Sequence, residues 1–134
     1  MTMKHLFFGL VMILIVQACT PKMQSTSVAN TKWVLSEWPG KTLPAKAKAT
    51  LNFEGNNRVS GKSFCNGFGG SAMINGDSVK FDQLIGTMMY CEEVGQAENN
   101  FLNDLKSATS LKVSGNKLQI LKDGIVLLVF SPAK

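Results

Sequence analysis

Four turn signals punctuate this chain: Gly55-Asn56-Asn57, Asn75-Gly76-Asp77, Gly115-Asn116 and Asp123-Gly124. Short runs in which apolar and polar residues alternate lie on either side of them. Alternation is the mark of a half-buried strand, because successive side chains on a strand point to opposite faces. The Asn-Gly pair supplies the positive φ angles that a tight hairpin needs. A chain divided in this way folds as a succession of antiparallel hairpins. The expected strands are Lys32 to Trp38, Ala49 to Glu54, Arg58 to Lys62, Ser71 to Ile74 and Ser78 to Phe81. Gln83 to Tyr90 reads as a further strand, and Lys112 to Val113, Lys117 to Lys122 and Ile125 to Phe130 as a closing meander.

One segment departs from this period. Between Gly95 and Ala108 the apolar residues are Ala97, Phe101, Leu102, Leu105 and Ala108. That spacing puts one apolar stripe on a helix. Glu92, Glu93 and Glu98 at or near its start and Lys106 near its end suit the helix dipole. Glu98 is read as a helix-start residue that bonds backbone donors. Phe101 and Leu105 are expected to face the sheet, with Asn99, Asn100 and Asp104 in water. The fold class is mainly β with one helix (α+β). It is a small antiparallel barrel or strongly rolled sheet of about eight strands, with the helix covering an opening.

The N-terminus is organised differently. Lys4 and His5 precede an apolar run from Leu6 to Val16, followed by Gln17, Ala18 and Cys19. This is the order of a secretory signal peptide, and the run is shorter than the roughly 20 apolar residues of a membrane-spanning helix. A cysteine directly after the cut resembles a bacterial lipobox, so residues 1–18 are read as the signal and Cys19 as the lipidated N-terminus. An ordinary signal-peptidase site is the rival reading, and it would leave Cys19 as a free thiol. Residues 19–30 read as the lipidated cysteine and a polar tether, and residues 31–134 as one domain. The resulting expectation is a protein held to the membrane through lipid on Cys19. Thr20 in place of Asp favours the outer membrane, facing the periplasm, where the cell has one.

This processing constrains chemistry. The only histidine, His5, lies in the signal, so the mature chain lacks the commonest general base and metal ligand. Cys65 and Cys91 remain, an even pair in an oxidising compartment, and are read as a disulfide. They lack the Cys-x-x-Cys spacing of a redox or zinc pair. Met73, Met88 and Met89 could form a thioether set for copper(I), but methionine more often fills irregular core gaps, and they are read as doing so. No linear spacing pairs the carboxylates of Glu54, Asp82, Glu92, Glu93 and Glu98 as a glycosidase would. Ser60, Ser63 and Thr87 have no base in view and no Gly-x-Ser-x-Gly elbow. The net charge is +5, without a dense basic run, which argues against nucleic acid as a partner. No catalytic, cofactor or metal site is expected.

The stretch from Arg58 to Gly70 is dense in glycine around Cys65-Asn66. With Thr87-Met88-Met89-Tyr90-Cys91, the helix residues Glu98, Phe101 and Leu105, and Trp33-Val34-Leu35 upstream, it resembles the META domain family, which includes the HslJ-like bacterial lipoproteins. Phe64 and Met88 depart from that pattern, where a small residue and a basic residue are common. The resemblance implies a compact barrel-like domain with one helix, secreted or envelope-anchored, associated with stress response and naming no ligand. The function expected is non-enzymatic binding of a protein, a peptide or an envelope component, with Phe64, Asn66 and Phe68 as the candidate binding rim. The alternative is a carrier of a small apolar ligand inside the barrel.

Overall fold

The computed structural model describes residues 27–134. The expected signal peptide, Cys19 and all but the end of the expected tether lie outside the described residues. Eight strands form one closed antiparallel barrel in sequence order. They are β1 (Thr31–Glu37), β2 (Lys48–Phe53), β3 (Arg58–Phe64), β4 (Asn66–Asn75), β5 (Ser78–Gly86), β6 (Ser110–Ser114), β7 (Lys117–Lys122) and β8 (Ile125–Pro132), with helix α1 (Ala97–Ser107) between β5 and β6. Closure comes from β8 pairing with β1, where Leu35 faces Phe130. The joint between β5 and β6 is thin, with Ser78 opposite Ser110. Backbone bonds from Val79 N to Thr109 O (3.1 Å) and from Leu111 N to Asp77 O (2.8 Å) reinforce it.

The strand runs therefore fall where the turn signals placed them, with two corrections. Gln83 to Tyr90 is not a strand of its own. Its first part continues β5 across a bulge in which Gln83 and Leu84 together oppose Gly70, and residues 87–90 are not strand. Gln83 has a φ of 51° there, and a Cβ on Gly70 would meet the carbonyl oxygens of Asp82 and Gln83 at 2.8 Å. Only glycine lets the bulged backbone approach so closely. The second correction is that Asn66 to Gly70, which lie outside the expected strands, begin β4.

Alternation places Leu51, Val59, Phe68, Phe81, Leu118, Ile120, Leu128 and Phe130 in the interior. Gly61 leaves room for the ring of Phe68, its partner across β3 and β4, since a Cβ there would meet the Thr50 carbonyl oxygen and a Phe68 ring carbon. The helix closes one end of the barrel. Phe101 and Leu105 are fully buried, and Asn99 and Asn100 are exposed, as the periodicity implies. Asp104 is corrected: it is half-buried and accepts hydrogen bonds at 2.8 Å from Trp38 Nε1 and Lys41 Nζ. It ties the β1–β2 loop to the helix.

The up-and-down order sorts the connections to two ends. Both ends of the described chain and the β2–β3, β4–β5 and β6–β7 turns lie at one, the terminal end. The β1–β2 loop, the β3–β4 corner, the helix and its flanking loops, and the β7–β8 turn lie at the other, the helix end.

Candidate functional site

At the helix end, β3 turns into β4 through Phe64 and Cys65, with Ser63 opposite Asn66. Phe64 has a φ of 74°, the left-handed value that the first position of a two-residue corner usually gives to glycine. The side chain is thereby re-aimed inward. Its ring stacks on Trp38 at 5.6 Å and meets Phe101 at 5.8 Å. Phe68 lies 5.9 Å from Phe101 on the other side. Phe64 and Phe68 are therefore core residues, buried to 4% and 6% exposure. The expectation that one of them projects from a binding rim is corrected, because the helix stripe covers both.

Asn66, the third member of that expected rim, is also buried, and it organises the site from within. An asparagine side chain can give two hydrogen bonds and accept two. Nδ2 donates to Glu98 Oε2 (2.8 Å) and to Met89 O (3.0 Å). Oδ1 accepts from Thr87 Oγ1 (3.0 Å) and Met89 N (2.8 Å). Its backbone N donates to Glu98 Oε1 at 2.6 Å, and Cys65 N donates to the same oxygen at 3.2 Å. Ser63 Oγ lies 3.1 Å from that oxygen and 3.1 Å from Asn66 O. Glu98 does bond backbone donors, as expected of it, but they belong to the β3–β4 corner and not to its own helix. The network fastens the corner, the helix start and the segment after β5 to one another.

That segment is the exposed part of the site. Thr87 N bonds Gly67 O at 3.0 Å, both backbone polar groups of Met89 are held by Asn66, and Cys91 is joined to Cys65. Between these fixings Met88 is 96% exposed, Tyr90 90% and Met89 63%, with Ile85 at 75% just before them. A groove of about 400 Å³ runs between this segment and the helix start, past Thr87, Glu98, Asn99 and Leu102. The methionines are not core filler: Met73, Met88 and Met89 are all on the surface. The sequence signal for this patch was Met88-Met89-Tyr90, three large residues without the alternation that would bury any of them.

The Cys65–Cys91 disulfide is present and bridges 26 positions. Closing a loop of that length restricts the unfolded chain by about 3 kcal/mol. Reduction is therefore expected to lower the melting temperature by several degrees. Thiol titration of native protein, with and without reductant, checks that the loss follows the disulfide; two free thiols before reduction would contradict it.

The carboxylates do not converge on a reaction centre. Glu54 accepts a bond from Ser60 Oγ (2.7 Å) beside Arg58, and Glu98 is occupied with the corner. Among the described residues no group of three or more histidine, cysteine, aspartate or glutamate side chains is placed to hold a metal ion. The interior that a carried ligand would need is taken up by Phe101, Phe130, Leu51, Leu118, Ile120 and Leu128, all fully buried.

Comparison with known proteins agrees with this architecture. The family model described as the META domain matches residues 26–134. A protein from Burkholderia xenovorans solved by NMR is 27% identical, with a TM-score of 0.69, over 82% of this chain and 86% of that one. A DUF4847 family protein from Bacteroides vulgatus, solved by crystallography, shares the fold at 15% identity and a TM-score of 0.60, over 80% of this chain and 95% of that one. A further NMR structure, 21% identical, superposes with a TM-score of 0.61 over 77% of this chain and 89% of its own. No curated protein matches the chain.

Proposed function

The chain belongs to the META domain family, and from that membership we propose that it is a non-enzymatic, lipid-anchored module of the cell envelope that acts by binding a protein or peptide. The observation that carries the reading is the segment from Thr87 to Tyr90. Large apolar side chains left in water cost solubility and are retained where they have a partner. Here the backbone beneath them is pinned by Asn66 and by the disulfide, so the patch is held ready and little ordering entropy is lost on binding. Tyrosine and methionine are also the residue types enriched in interfaces.

The anchor and the binding surface are tested separately. Fatty-acid labelling in cells is expected on the wild type and not on Cys19→Ala; equal labelling would remove the lipid from the proposal. A photo-crosslinking residue at position 90 is expected to give one discrete adduct in cells, lost on Met88→Asp. One at position 119, on the barrel wall, is expected to give none. Indistinguishable patterns at 90 and 119 would remove the binding surface.

A further inference from the structure

The charges of the barrel are sorted along its axis. At or within two residues of the terminal end lie Lys32, Arg58, Lys80, Lys112, Lys117 and Lys134. Glu54 and Asp77 are the acidic side chains there. At the helix end the basic side chains are matched by Glu37, Glu92, Glu93, Glu98, Asp104 and Asp123. Among the described residues the excess of positive charge thus lies at one end. That end also exposes Met73 (63%) and Ile74 (37%) beside the basic residues. Next to them a cleft of about 330 Å³ opens between the entering chain and the hairpin turns. It is lined by Val28, Phe53, Ala72, Ile74 and Leu111, with Arg58 at its side.

We infer that the terminal end is a membrane-docking face for anionic phospholipid headgroups, with Met73 and Ile74 dipping below them. The inference rests on the lipid-anchored reading for its orientation. The chain enters the barrel at this end, and residues 20–26 between Cys19 and the described part can reach at most about 25 Å. A lipid on Cys19 therefore holds the basic end beside the bilayer. Beside the bilayer, a basic face adds electrostatic attraction to anionic lipids. Each basic side chain near an anionic surface contributes about a fivefold gain in binding. The same orientation turns Met88 and Tyr90, at the opposite end, away from the bilayer and toward a partner.

Residues 27–134 contain the whole barrel, its core and its disulfide, so this segment without any lipid is the protein to test. Co-sedimentation is measured with vesicles of phosphatidylglycerol and phosphatidylcholine in equal parts, and with vesicles of phosphatidylcholine alone. Binding is expected to the first and not to the second. It should be lost as salt approaches about 1 M, where the screening length is about 3 Å. Arg58→Gln, Lys80→Gln and Lys112→Gln together should weaken binding about 100-fold at about 0.1 M salt. Lys46→Gln, Lys48→Gln and Lys62→Gln together, which remove the same charge from the helix end, should leave it within about twofold at that salt, since charges farther than a Debye length of about 10 Å contribute little. All six side chains are largely exposed, and unchanged melting temperatures confirm folding.

No binding to the anionic vesicles, equal binding to the neutral ones, or equal loss in the two triple variants would overturn the inference. So would equal affinity for a short DNA duplex at the same phosphate concentration, which would mark a general polyanion surface. These outcomes are independent of Cys19 labelling: vesicle binding without labelling leaves the docking face and removes the anchor, and labelling without vesicle binding does the reverse.

Discussion

Phe101→Ala is expected to cost about 3–5 kcal/mol of folding free energy, the range for truncating a fully buried phenylalanine. Phe101 is the point where the helix and the barrel meet. Its ring lies 6.4 Å from Trp38, 5.8 Å from Phe64, 5.9 Å from Phe68 and 6.3 Å from Phe130. Those contacts are edge-on, the arrangement in which aromatic quadrupoles attract. Removing the ring leaves a cavity between four others that are fixed to three different parts of the chain, so little can collapse into it. A domain of this size has about 5–15 kcal/mol in all, and much of the population should unfold at moderate denaturant. Asn100→Ala, one position away on the exposed face, should change stability by less than about 0.5 kcal/mol. Urea midpoints of the two variants check this. Equal midpoints would mean that the helix is not part of the core.

The second large effect is expected at Asn66. Asn66→Ala removes the side-chain partners of Met89 N, Met89 O, Thr87 Oγ1 and Glu98 Oε2 at once. A buried polar group left without a partner costs about 1–3 kcal/mol. Water at this half-open site will rescue some of the four, so a total of about 3 kcal/mol is expected. Asn66→Asp should be at least as harmful, because its carboxylate would face Glu98 where an amide donor stood. Hydrogen exchange separates this from a general loss of core. In Asn66→Ala the Met89 amide should exchange at least tenfold faster, while the amides of β7 change only with global stability. A protected Met89 amide in that variant would show that Asn66 does not hold the segment.

Much of this architecture can be read from residue types alone, and the failures have physical causes. The β2–β3, β4–β5, β6–β7 and β7–β8 hairpins follow from turn residues at which few others fit. Phe101 and Leu105 follow from the helical period. Asn66 to Gly70 escape a periodicity reading because a strand rich in glycine carries too few side chains to alternate. It is held by its ladder with β3 and by the bulge of β5, and neither leaves a periodic trace. Phe64 was placed on the surface because its direction depends on a positive φ, which its identity does not advertise. The lack of alternation in Met88, Met89 and Tyr90 hints at a patch, but residue type alone does not set their exposure. Their exposure results from hydrogen bonds made by a buried asparagine more than twenty positions earlier. The methionines were assigned to the core on residue type, and type is outweighed here by where the backbone is fastened.

The seam between β1 and β8 has a consequence for how the chain reaches its native state. Every other strand pairs with its neighbour in sequence, so hairpins can form as soon as their residues have been made. Leu35 must wait for Phe130. Until the last strand arrives, β1 presents an unpaired edge to solvent, and such edges invite pairing with other chains. Contacts between distant residues are also the slow ones to form. Synthesis from the N-terminus thus delivers seven strands and the helix before the barrel can close, and the final step of folding belongs to β8.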